Sequence, residues 1–112
     1  MPKQGFRLTA LGSGRVLLEP GLGVNPSDSA PLIEAVLAQL AAGECRTLYY
    51  DLAGVEVIDP IYLAYLNRLA CACRTVGVEM VCIHMKPATA FALAGFMSEP
   101  PAFATGQGVG AD

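Results

Sequence analysis

The chain has 112 residues, 54% of them hydrophobic and 15% charged, with a net charge of −3. Mean hydropathy is +0.47 and the pI lies near 5.0. This length supports one domain with one core, an acidic balance with scattered basic residues excludes a nucleic-acid footprint, and no stretch reaches the roughly 18 uncharged apolar residues of a membrane span.

A composition this apolar means either that both faces of a sheet are covered or that apolar surface waits for a partner. The first residues lack the long apolar run of a secretory signal, so a cytoplasmic protein is expected. Phe6 to Leu11 alternates and predicts a strand with one buried face. Gly12-Ser13-Gly14 is a tight turn, and Arg15 to Glu19 is a second strand, giving a β-hairpin. Pro20, Gly21, Gly23, Pro26 and Ser27 break both periods and form a loop.

Ser29 is a candidate N-cap for a helix that tolerates Pro31 in its first turn. Leu32, Ile33, Val36, Leu37 and Leu40 share one face of it, and Gly43 is a natural stop. Leu48, Tyr49, Tyr50 and Leu52 then read as a buried strand. After a short loop, Asp59-Pro60 announces the second helix: a carboxylate to accept first-turn N–H groups, then a residue that needs none. Leu63, Leu66, Ala70 and Cys73 form its apolar stripe, edged by Ile61, Ala64 and Tyr65, and Gly77 ends it. Val78 to Ile83 is another buried strand, and Pro87 opens a third helix over residues 88–94. The segment 98–112, rich in Pro, Gly and Ala, is expected to be a largely mobile tail. The order ββαβαβα implies an α/β domain over residues 1–97: a mixed sheet, antiparallel at its opening hairpin and parallel after it, with helices packed on it.

Three groups of residues invite a chemical reading. Asp51, Glu56 and Asp59 surround one loop, where carboxylates can hold Mg²⁺ or share a proton. No Lys, Ser or Thr stands in that loop to complete an enzyme site, so the structural roles are favoured: Asp51 ties down loop backbone, Glu56 is solvated and Asp59 caps the helix. No catalytic residue, metal site or cofactor is therefore expected. Cys45, Cys71, Cys73 and Cys82 lack C-x-x-C spacing, and the lone His84 cannot complete a zinc site, so all four are expected as buried, reduced thiols. His84 itself reads as a satisfied structural histidine. The third group, Val57, Ile58, Pro60, Ile61, Tyr62 and Tyr65, gathers apolar and aromatic side chains near the second helix start. It is either an interface or a core edge with only Tyr62 or Tyr65 exposed.

Together LYYDLAGVEVID, YLAYLNRLACACRTVG, VEMVCIHM and KPATAFALAGF resemble a STAS domain, the family of anti-sigma-factor antagonists, stressosome proteins and the cytoplasmic ends of sulphate transporters. The most specific part is the D-L-x-G-V-x-x-I-D signature, Asp51 to Asp59. The resemblance implies a non-enzymatic protein-interaction module that acts in bacterial signal transduction and transcription regulation. Its docking surface would comprise Glu56, Val57, Asp59, Pro60, Ile61, Tyr62 and Tyr65. The partner would be a kinase-like anti-sigma factor or stressosome protein, and a homo-oligomer or larger complex is expected. Relatives are phosphorylated on Ser or Thr one or two residues after the second Asp; those positions here are Pro60 and Ile61, which carry no hydroxyl. The last strand and helix of many relatives are expected to be missing or degraded in 98–112, leaving a sheet edge or core face bare. Alternatives are an accessory subunit of a membrane transport complex, a small-molecule or lipid binder, and a minor enzyme built on the three carboxylates.

Overall fold

Three consecutive left-handed residues start the fold: Gly12 at φ 85°, Ser13 at 57° and Gly14 at 77° reverse the chain between the first two strands. The computed structural model describes residues 6–21, 24–55, 58–97 and 100–108. Strands β1 (Phe6–Gly12) and β2 (Arg15–Pro20) form the hairpin. Then α1 (Ala30–Ala42) leads to β3 (Thr47–Asp51), α2 (Pro60–Thr75) to β4 (Glu79–Ile83), and α3 (Pro87–Phe96) to β5 (Ala104–Gly106). The sheet runs β1-β2-β3-β4-β5, antiparallel at its first pair and parallel at every other. The expected α/β fold with a mixed sheet is the observed one.

Every crossover steps to the next strand in the same direction. With right-handed connections this puts the helices on a single face. The burial pattern agrees. Leu18, Leu48, Tyr50, Met80 and Cys82 point into the core with Val36, Leu40, Leu63, Leu66 and Leu69, whereas Leu17, Tyr49 and Val81, on the opposite pleat, are half-buried and lie outside that cluster. The helical stripe Leu63, Leu66, Ala70 and Cys73 is buried as its spacing predicts, and Leu69 and Tyr65 widen it.

Four local expectations need correction. Residues 98–112 are not simply a tail, because Ala104–Gly106 adds a fifth, parallel strand beside β4 and Phe103 enters the core. α2 holds this segment by both backbone groups of Ala102: its N–H donates to Asn67 Oδ1 at 2.8 Å, and its carbonyl accepts from Arg74 at 2.6 Å. Ser29 stands at the start of α1 but makes no side-chain cap; its buried Oγ accepts from Arg68 at 3.1 Å. The same guanidinium reaches Pro26 O at 3.3 Å, fastening the turn before α1 to α2. α3 does not stop at residue 94 but runs on through Gly95 to Phe96. Of the four thiols only Cys73 and Cys82 are buried; Cys45 is half-buried and Cys71 exposed.

Phe103→Ala is expected to lower the unfolding free energy by about 3 kcal/mol through lost transfer energy and a residual cavity. Urea unfolding checks it, with exposed Gln107→Ala changing stability by less than about 0.5 kcal/mol.

Candidate partner-docking site

The loop from β3 to α2 is built from backbone hydrogen bonds and two carboxylates. Leu52 N donates to Ile83 O at 2.9 Å, and Val55 N closes a turn on Leu52 O at 3.0 Å. Asp51 Oδ1 accepts from Ala53 N at 2.8 Å, the loop-tying role its position suggests. The same oxygen meets His84 Nδ1 at 2.8 Å. Ionised carboxylate oxygens only accept, so Nδ1 carries the proton. His84 makes this contact from a left-handed backbone, φ 61°, with its ring exposed. Asp59 caps α2, its carboxylate accepting from Tyr62 N at 2.8 Å, and Pro60 follows in the first turn. Both carboxylates thus serve backbone and do not converge on one point of chemistry. Among the described residues, no group of three or more His, Cys, Asp and Glu is placed to hold a metal ion. Burial pushes the thiols of Cys45, Cys73 and Cys82 up, Cys73 to about 12, which keeps them from acting as thiolates.

Tyr50 is the hub beneath the helix start. Its hydroxyl lies 2.7 Å from that of Tyr62 and 2.9 Å from that of Tyr65, and the Tyr62 and Tyr65 rings pack edge-on at 5.3 Å. Three hydroxyls carry three protons, and two contacts use two of them. The order that strands no buried donor runs from Tyr65 to Tyr50 to Tyr62, whose own proton faces outward. Tyr62 is the half-buried member of the three, while Tyr50 and Tyr65 are fully enclosed. It also lines a groove of about 320 Å³ with Pro20, Gly21, Val24, Gly54 and Val55, at the carboxyl ends of β2 and β3. The sequence reading missed Tyr50; the signal was its place two residues from Leu48, on the inward pleat.

The expected docking residues therefore separate. Ile61 is 51% exposed and shares the surface with Asp59 and Pro60. Tyr62 presents one edge. Tyr65 is a correction: at 0% exposure it belongs to the core and supports Tyr62 from below. Ile58 is buried as well. Glu56 and Val57 lie outside the described residues.

No family model and no curated protein matches the sequence. Solved structures do. A serine-to-glutamate variant of RsbS from Moorella thermoacetica matches with a TM-score of 0.76 at 17% identity, over 91% of this chain and 88% of that one. A structure of the molecular architecture of the stressosome, described as a signal integration and transduction hub, matches with a TM-score of 0.76 at 16% identity, over 92% and 89%. The NMR structure of the protein TM1081 follows at 0.65 and 15% identity, over 86% and 74%. The fold is that of a STAS domain.

Three expectations rest on the phenol cluster and the cap. Tyr50→Phe keeps the ring but leaves Tyr62 and Tyr65 without their common partner, at a cost of about 2 kcal/mol; Asp59→Ala costs about 1 kcal/mol. Urea unfolding measures both. Burial raises all three phenols; for Tyr50 its neighbours push the same way, while the Tyr50 hydrogen bond partly offsets the rise at Tyr62 and Tyr65. A group whose folded pKa is raised stabilises the fold below its unfolded value and loses that contribution above it. Stability should therefore hold up to about pH 10, the ordinary phenol value, and fall beyond it. Phenolate absorbance rising together with loss of far-UV circular dichroism is the expected result; phenolate appearing well below pH 10 in the folded state would contradict it.

Proposed function

We propose that this chain is a non-enzymatic protein-interaction module of the anti-sigma-factor-antagonist type, acting in the cytoplasm within a partner-switching or stressosome-like pathway. The observation that carries the reading is the start of α2. There a capped and internally braced helix end presents exposed Ile61 beside Asp59, Pro60 and the edge of Tyr62. An exposed isoleucine on a rigid frame gives a partner apolar area without an ordering cost. The fold shared with RsbS and the stressosome supports a regulatory binding role over a catalytic one. The partner is a kinase-like anti-sigma factor or a stressosome protein.

The residues that follow Asp59 are Pro60 and Ile61, so no Ser or Thr stands where the resemblance places the phosphoacceptor. Binding through this surface is then not switched by phosphorylation at that point. A second reading has the groove beside Tyr62 in its favour: an outward phenol proton above small apolar residues suits a ligand with an acceptor oxygen.

The test is affinity capture from the native lysate by the tagged chain and by Ile61→Asp, with bound proteins identified by mass. Ile61 is a surface position, so the variant keeps its fold. Recovery of a kinase-like or stressosome protein by the parent, reduced at least about ten-fold in the variant, is expected for a hot-spot residue. Equal recovery by both would remove α2's start from the interface. Recovery of transporter components instead would replace the reading with that of an accessory subunit.

A further inference from the structure

One face of the sheet is closed by helices, and the other carries apolar side chains that belong to no core. On β2 this face presents Arg15, Leu17 and Glu19, on β3 Thr47, Tyr49 and Asp51, and on β4 Glu79, Val81 and Ile83, of which Ile83 is already fully buried, by alternation from the buried Leu18, Leu48, Tyr50, Met80 and Cys82. Register aligns them in lateral rows. Leu17, Tyr49 and Val81 form one row, and Arg15, Thr47 and Glu79 the next. Thr9, which is polar, and Ala104 continue the row to the outer strands.

We propose that this face is the contact between two copies of the chain, packed sheet to sheet about a two-fold axis that runs along β3. Such an axis exchanges the strands on either side of it, so β2 of one copy lies over β4 of the other. Tyr49 then meets the partner's Tyr49, and Leu17 meets the partner's Val81. Arg15 comes opposite the partner's Glu79, and Glu79 opposite the partner's Arg15.

The charges select a second copy as the occupant. Within one chain Arg15 and Glu79 are held apart by β3, two strand spacings or roughly 9.6 Å. Among the described residues the Arg15 Nε makes a long bond to Gly12 O at 3.4 Å, and Glu79 is exposed. The row Arg15, Thr47, Glu79 is positive on one side of β3 and negative on the other, and so is complementary to itself under this rotation, as an isologous interface requires; Asp51, farther along the axis, has its Oδ1 engaged by Ala53 N and His84 Nδ1. Aligned sheet packing tolerates the geometry. A crossing of about 30° displaces a position one strand from the axis by only about 2.5 Å, and Arg and Glu side chains are long enough to follow. The helices stay on the outer sides, so both α2 starts remain open to partners.

Sedimentation equilibrium of the full chain tests this with Arg15→Glu, Glu79→Arg and the double exchange, each checked for native circular dichroism. A dimeric parent is expected. Each single change places like charges opposite each other and weakens the dimer at least about ten-fold, and the double exchange restores it. Ile61→Asp leaves it unchanged. Tyr49→Ser, which removes the ring on the axis without adding charge, also weakens it and reports independently should either charge variant fail to fold. A parent that is monomeric at its highest soluble concentration overturns the proposal. So does a dimer indifferent to the single changes, or one that the double exchange fails to recover.

Discussion

The hydroxyl of Tyr50 joins the central strand to the start of α2. It sits on the central strand, fully buried, and holds Tyr62 and Tyr65 from the first turns of α2. Without it two phenols would lose their partner beneath the helix start, a cost of the order of 1–3 kcal/mol for each donor left unmatched. With it, the sheet dictates where α2 begins and how Tyr62 is turned. The Asp51 contact and the Asp59 cap then hold the two ends of the connection between them. What the surface offers at Ile61 is therefore set by a polar contact in the middle of the core.

The one-way strand order has a different consequence. A sheet whose crossovers all advance in one direction carries its helices on one side. A 112-residue chain that is 54% hydrophobic then has more apolar side chains than one interior can take. Leu17, Tyr49 and Val81 are where the surplus stands, at the centre of the sheet and not at a loop. Phe91, 86% exposed on α3, is a second such site. Of the two explanations the composition allowed, uncovered apolar surface is the one the fold adopts.

Most of the fold was legible because its signals are local. Asp59-Pro60, the Gly-Ser-Gly turn and the stripe on α2 each lie within a few residues, and each forms as read. Three of the misreadings are non-local. Ser29 has the chemistry of a cap, but Arg68, far along the chain, claims its oxygen. Ala104–Gly106 is too short to show a period of two and becomes a strand only because β4 offers an edge and α2 grips Ala102. Tyr62 and Tyr65 are chemically identical in sequence. Both bond to Tyr50, yet Tyr65 lies inside and Tyr62 at the rim.

A rigid helix start without an acceptor hydroxyl also bears on how such a module would be controlled. A phosphate works by adding about two negative charges where a partner must approach. Here Asp59 already places a carboxylate at that point, but it is spent on the backbone N–H of Tyr62. Pro60 leaves no side chain able to take more charge, and the phenols beneath cannot ionise at neutral pH while buried. Asp59, Pro60 and the three phenols thus give the helix start no change of charge near neutrality. On the proposed function, control would then rest on how many copies are presented and in what arrangement, which is the quantity a sheet-to-sheet pair would set.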